Sequence, residues 1–132
     1  MTGDQQPVGR HPPDRRALGN AAEDAAAAHL ASHGLTVIAR NYRCRLGELD
    51  LIAREQPDIL VIAEVRLRSH AAYGGGAASV DPRKQQRIVK ATRHLLMTRP
   101  ALAKLRARFD VLDIKPDGSG HHIDWIRHAF DA

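Results

Sequence analysis

The sequence predicts an α/β domain, a mixed sheet packed between helices, and three observations predict it. An alanine-rich helical run comes first, three strand-like segments follow closely enough to form a meander, and a second helix precedes two further strand-like segments. The order is therefore α-β-β-β-α-β-β. At 132 residues, with 43% hydrophobic and 27% charged residues, the chain can bury one modest core. Aromatic residues supply only 4% of it, so alanine and branched aliphatics must fill that core.

Residues 1–16, rich in Gly, Pro, Gln and charge, read as a disordered basic tail ahead of a single domain over residues 17–132. Leu18 to His33 has high helix propensity, with Gly34 as its stop. Asn20 is a candidate N-cap, and Glu23 three residues on completes a capping-box-like pattern. Leu35 to Tyr42 is strand-like, and Arg43 to Gly47 is expected to turn. Glu48 to Ala53 and Ile59 to Leu67 then read as strands joined through Arg54-Glu55-Gln56-Pro57-Asp58. Ser69 to Ser79, with three consecutive glycines, reads as a flexible loop. Asp81 as N-cap and Pro82 at the first helical position open a helix to about Thr98, which Pro100 ends or kinks. Arg108 to Ile114 and Ile123 to His128 are the last strands, separated by a turn over Lys115 to Gly120.

The formal charge of +5 points toward an anionic partner such as nucleic acid. A single cysteine, Cys44, excludes an internal disulfide and fits a reducing cytoplasm. No segment is long and apolar enough to suggest a membrane span.

The chemistry concentrates in the second and third strands. A hairpin centred on Pro57 places Asp50 opposite Glu64 and Glu48 opposite Arg66, and the two-residue repeat puts all four on one face. Carboxylates in apolar strands are costly unless paired or coordinated, and a hard divalent cation needs only one or two of them. The competing structural role is a cross-strand Glu48–Arg66 salt bridge with Asp50 at a strand end. On the first helix Glu23 shares a stripe with Ala27 and Leu30, which aims it at the sheet and conflicts with its capping role. On the second, Lys84 lies one turn before Ile88 on the apolar face. Arg83, Arg87, Lys90 and His94 form another stripe, suited to a phosphate backbone or simply to solvent. His121-His122 beside Asp124 is a weak metal-binding pattern.

Asp50, then Glu64-Val65-Arg66 after thirteen residues, resembles the D-x(n)-E-x-K core of the restriction-endonuclease-like nucleases. More narrowly, the chain resembles the YraN-like family of predicted bacterial endonucleases, related in fold to Holliday-junction resolvases. The resemblance runs from Gly19 to Phe130, through Gly47-Glu48-Leu49-Asp50-Leu51-Ile52, Lys84-Gln85-x-Arg87-Ile88 and Arg108-Phe109-Asp110-Val111. It implies an αβββαβ core, Asp50 and Glu64 as ligands of Mg²⁺ or Mn²⁺, and Glu23 as an accessory acid. It also implies a DNA substrate, structured or branched, and by analogy with resolvases a homodimer. Arg66 departs from the pattern, which has lysine there. Arginine can offset phosphate charge but stays protonated, so Lys84 is the candidate to supply the missing lysine. The departure also sustains a second reading, a catalytically weak nuclease-fold module that grips nucleic acid without cutting it.

Overall fold

The computed structural model describes residues 15–68, 80–118 and 120–132. It contains helix α1 (Arg15–Ser32), strands β1 (Thr36–Cys44), β2 (Gly47–Glu55) and β3 (Ile59–Leu67), and helix α2 (Pro82–Thr98). A short 3₁₀ turn (Pro100–Lys104) leads into β4 (Arg106–Asp117) and β5 (Gly120–Phe130). The five strands lie in chain order in one sheet, antiparallel except for β3 and β4, which run parallel across the α2 crossover. This is the αβββαβ core of the restriction-endonuclease-like fold with one more strand at its edge. Among the described residues no helix is long and apolar enough to cross a membrane.

Helix α1 begins at Arg15, earlier than the sequence suggested, because Arg-Arg-Ala-Leu are all good helix formers and nothing stops the helix there. Asn20 consequently sits inside the helix and is no cap, which corrects the capping-box expectation and releases Glu23. The rest of the expected tail lies outside the described residues, as does the expected loop at 69–79. At the other end Gly34 takes φ +89°, and Leu35 N–H donates to the Leu30 carbonyl while Gly34 N–H donates to that of Ala31. These paired bonds satisfy carbonyls the helix leaves open, and Leu35 and Leu30 join one cluster beneath the turn.

The two faces of the sheet are covered by one helix each. Ala22, Ala26 and Leu30 of α1 pack on Leu51, Ala53, Val61, Ala63, Leu112 and Ile114. Ile88, Ala91 and Leu95 of α2 pack on Ile52, Leu60, Ile62, Phe109 and Val111, with Phe109 and Phe130 stacked 5.1 Å apart. Each fully buried branched side chain contributes about 1.5–3 kcal/mol, so these layers supply most of the folding drive. Asp81 caps α2 through a 2.8 Å bond from Arg83 N–H, and Pro82 follows it.

The β2–β3 pairing has the expected register about Pro57, from Glu55↔Ile59 to Leu51↔Ala63. There the ladder stops. Leu49 packs in the α2 cluster although strict alternation from Leu51 would send it to the opposite face. The strand thus rotates at Asp50, whose carboxylate, instead of its backbone, accepts the Val65 N–H at 2.9 Å. The Glu48–Arg66 pairing does not form, because β2 has left the ladder before it reaches Glu48. Glu48 instead pairs with Arg43 across the β1–β2 hairpin, at 3.6 Å. That hairpin turns in two residues, Arg45 and Leu46, tighter than the expected Arg43–Gly47 turn.

Candidate metal and phosphate site

Where β2 leaves the ladder, a cleft of about 550 Å³ opens between α1, the sheet and the start of α2. Glu23, Asp50, Glu64, Arg83, Lys84 and Arg87 all line it. Glu64 is buried in the row that also holds Leu60 and Ile62, so its carboxylate faces α2. From that helix the Lys84 Nζ reaches Glu64 Oε2 at 2.5 Å. A cation near a helix N-terminus is mildly unfavourable; here the buried carboxylate across from it offsets that cost. Burial opposes charging the Lys84 amine, but its bond to Glu64 and the charges of Glu64 and Asp50 outweigh this and raise its pKa.

Asp50 lines the same cleft as Glu64. Burial first, and the Glu64 charge second, push the Asp50 carboxyl up to about 8, against the pull of the Val65 N–H. Two carboxyl groups, both desolvated and lining one cleft with the Lys84 ammonium, form an oxygen-rich, cation-seeking pair. Glu23 stands at the rim, held by Asn41 Nδ2 at 3.1 Å and Arg40 at 3.5 Å. Asn41, at φ +54°, was not singled out from the sequence. No local pattern marks it, since its role depends on how α1 docks over β1.

The remaining expected site residues divide. Arg66 lies outside this cleft and lines an adjoining hollow of about 220 Å³ with Glu64, Asp81 and Lys84. Lys90 is turned away, lining a shallow depression with Gln86 and Arg93 beside Asp131. The stripe of four cations therefore splits, because the helix rotates Lys90 past the cleft edge. His94 is not part of it either, being half-buried and hydrogen-bonded to the Tyr42 hydroxyl. Among the described residues no group of three or more metal-ligating side chains exists, so His121, His122 and Asp124 make no centre; His122 simply pairs with Asp124 at 3.1 Å.

Residues 22–114 match the family model described as Uncharacterised protein family UPF0102. The chain belongs to UPF0102. A UPF0102 protein of Cupriavidus taiwanensis is 49% identical over 91% of this chain and 87% of its own length. Another, from Legionella pneumophila, is 46% identical over 86% of this chain and 94% of its own. A third, from Saccharophagus degradans, is 50% identical over 85% and 91%. UPF0102 is the YraN-like family that the residues resembled, and the matched segment contains every side chain that lines the cleft except Gly19.

Proposed function

We propose that this UPF0102 protein is a Mg²⁺- or Mn²⁺-dependent endonuclease that hydrolyses phosphodiesters in structured or branched DNA in the cytoplasm. The observation that supports it most is the convergence of Asp50, Glu64 and Lys84 in one cleft flanked by arginines. The donor set fits a hard divalent cation: two carboxylates suffice for Mg²⁺, which keeps several waters of its own. Asp50 and Glu64 would hold the ion. When bound, it supplies Lewis acidity to a phosphate oxygen and to the attacking water.

The chain's own groups do the rest. Lys84 offsets the charge that grows on the phosphate, from a position already within reach of Glu64. Glu23, fixed by Asn41 and Arg40, accepts a hydrogen bond from a water and orients it. Arg83 and Arg87 grip the backbone on the α2 side and read no bases. Arg66 strengthens the local positive potential from the adjoining hollow.

The test is cleavage of labelled duplex, flap and four-way-junction DNA with Mg²⁺ or Mn²⁺, beside an Asp50→Ala/Glu64→Ala control. Metal-dependent cutting that vanishes in the control supports the nuclease. Binding without cutting returns the second reading, a binding module, which rests on the permanently protonated arginine at position 66.

A further inference from the structure

The cleft opens in a second direction. A limb of similar size, about 550 Å³, runs between the first half of α1 and the β1–β2 hairpin, lined by Asn20, Asn41 and Arg43 among others. Gly19, Glu23, Glu48 and Asp50 line both limbs, so the two are continuous past the Asp50 carboxylate. The hairpin that walls the second limb is seated firmly on α2. Gly47 lies so close to that helix that a Cβ there would stand 2.9 Å from the Arg87 carbonyl oxygen. Arg87 and Arg43 are thus carried by elements locked together, one facing each limb, with Asp50 between them.

We propose that the hairpin limb is a second backbone-binding arm. Arg43, assisted by the Asn20 amide, takes phosphates on the side of the scissile position opposite those held by Arg83 and Arg87. The ligand is the sugar–phosphate backbone of duplex DNA. Among the described residues neither limb is lined by an aromatic side chain on which an unpaired base could stack. The Arg43 side chain is 75% exposed and is held only loosely, 3.6 Å from Glu48, so exchanging that carboxylate for a phosphate costs little. This inference rests on the nuclease reading and extends it: a site gripped on both sides holds the scissile bond fixed, where one arm alone would let it pivot.

The experiment is fluorescence anisotropy of a labelled duplex titrated with full-length protein, Ca²⁺ replacing Mg²⁺, across a series of salt concentrations. Arg43→Ala weakens binding about 3–10-fold, as Arg87→Ala does, and each lowers the log–log salt slope by about 1. Arg106→Ala, exposed at the far end of β4 where it pairs with Ile59, leaves both unchanged. Glu48→Gln tightens binding, and the gain disappears when Arg43→Ala is combined with it. If Arg87→Ala weakens binding while Arg43→Ala matches wild type in affinity and slope, the second arm is overturned and the nuclease reading stands. If wild type binds a four-way junction but not the duplex, the arm falls and the nuclease reading stands; if it binds neither, the two fall together.

Discussion

Asp50 and Glu64 face one another from adjacent strands, and before a cation arrives this costs stability. Asn at position 50 still accepts the Val65 N–H, so Asp50→Asn removes the cost of burying and protonating that acid and keeps the geometry. In EDTA its Tm should rise by about 3–5 °C, on the order of 1 kcal/mol, while the stabilisation that Mn²⁺ gives wild type should vanish. A thermal melt with and without metal reads both; a fall in Tm would mean that the carboxylate holds the fold together. The division of labour between the two cations is equally checkable. Lys84→Ala should abolish junction or flap cleavage and Arg66→Ala should only weaken it, since Lys84 reaches Glu64 within the cleft while Arg66 lines the adjoining hollow. The opposite pattern would return the lysine's role to Arg66. At this scale the sequence was informative where the chain is local: period-two alternation about Pro57 carries the register as far as Leu51↔Ala63, one residue short of Asp50 and Glu64. The Glu23–Asn41 and Glu48–Arg43 partnerships were illegible, because they depend on helix docking and on the point where β2 leaves its ladder.

The elements are held by a few buried polar devices. In β5 the register slips between Phe109↔Phe130 and Val111↔Ile126, and His128 takes φ +53° in the resulting bulge. Asp110, wholly buried, anchors it by accepting His128 N–H and Trp125 Nε1–H, each at 3.0 Å. Arg108 grips the same carboxylate at 2.9 and 2.8 Å and reaches Glu55 at 2.6 Å. Removing that acid leaves the His128 and Trp125 N–H groups without their acceptor and the part-buried Arg108 with Glu55 alone, so Asp110→Ala should cost about 3–5 kcal/mol in denaturant unfolding. At the hairpin, Gly47→Ala should lower DNA affinity along with stability, because the added methyl pushes β1–β2 off α2. A third device lies at the end of α1. His29 packs edge-on to Trp125 and beside His33, with Arg127 stacked over the indole at 3.7 Å. Burial, then the neighbouring His33 and Arg127, lower its pKa below the usual 6.5. At this site the unfolded chain therefore binds the proton first as pH falls below 6.5, and the stability His29 contributes drops through that window. Asp50, raised to about 8, works in the opposite direction over the same range, so the check is made in an Asp50→Asn background: equilibrium unfolding at pH 7 and pH 5 should show the loss, and His29→Gln should flatten it. Element order was legible from propensity and spacing, while the start of α1 and the tight turn at Arg45 were not. Good helix formers extended α1 backward past a residue that looked like a cap, and hairpin twist shortened the turn.

At the scale of the molecule, strand order equals chain order, and only one connection, through α2, joins parallel neighbours. Fold class could be read from the sequence because each helix has one apolar stripe and each needs a sheet face to bury it. That the site sits where β2 parts from β3 could not, since no pattern of residue types marks the end of a ladder. The topology has a kinetic consequence. Glu55 pairs with Ile59 only four residues away, whereas β3 meets β4 through pairs such as Ile59 with Arg106, 47 residues apart by subtraction. Loop closure makes the second event slower, so the meander assembles first. Its assembly brings together two acids, and the lysine that relieves them arrives later on the crossover helix. On that order the cost of burying the acid pair falls before the lysine that offsets it is in place, which refolding kinetics can check. Lightening that load with Asp50→Asn should speed refolding more than it slows unfolding in stopped-flow chevrons, and the reverse ratio would place the acid pair after the barrier. Residues arranged to grip a cation would then also be the ones that set the pace at which this protein comes into being.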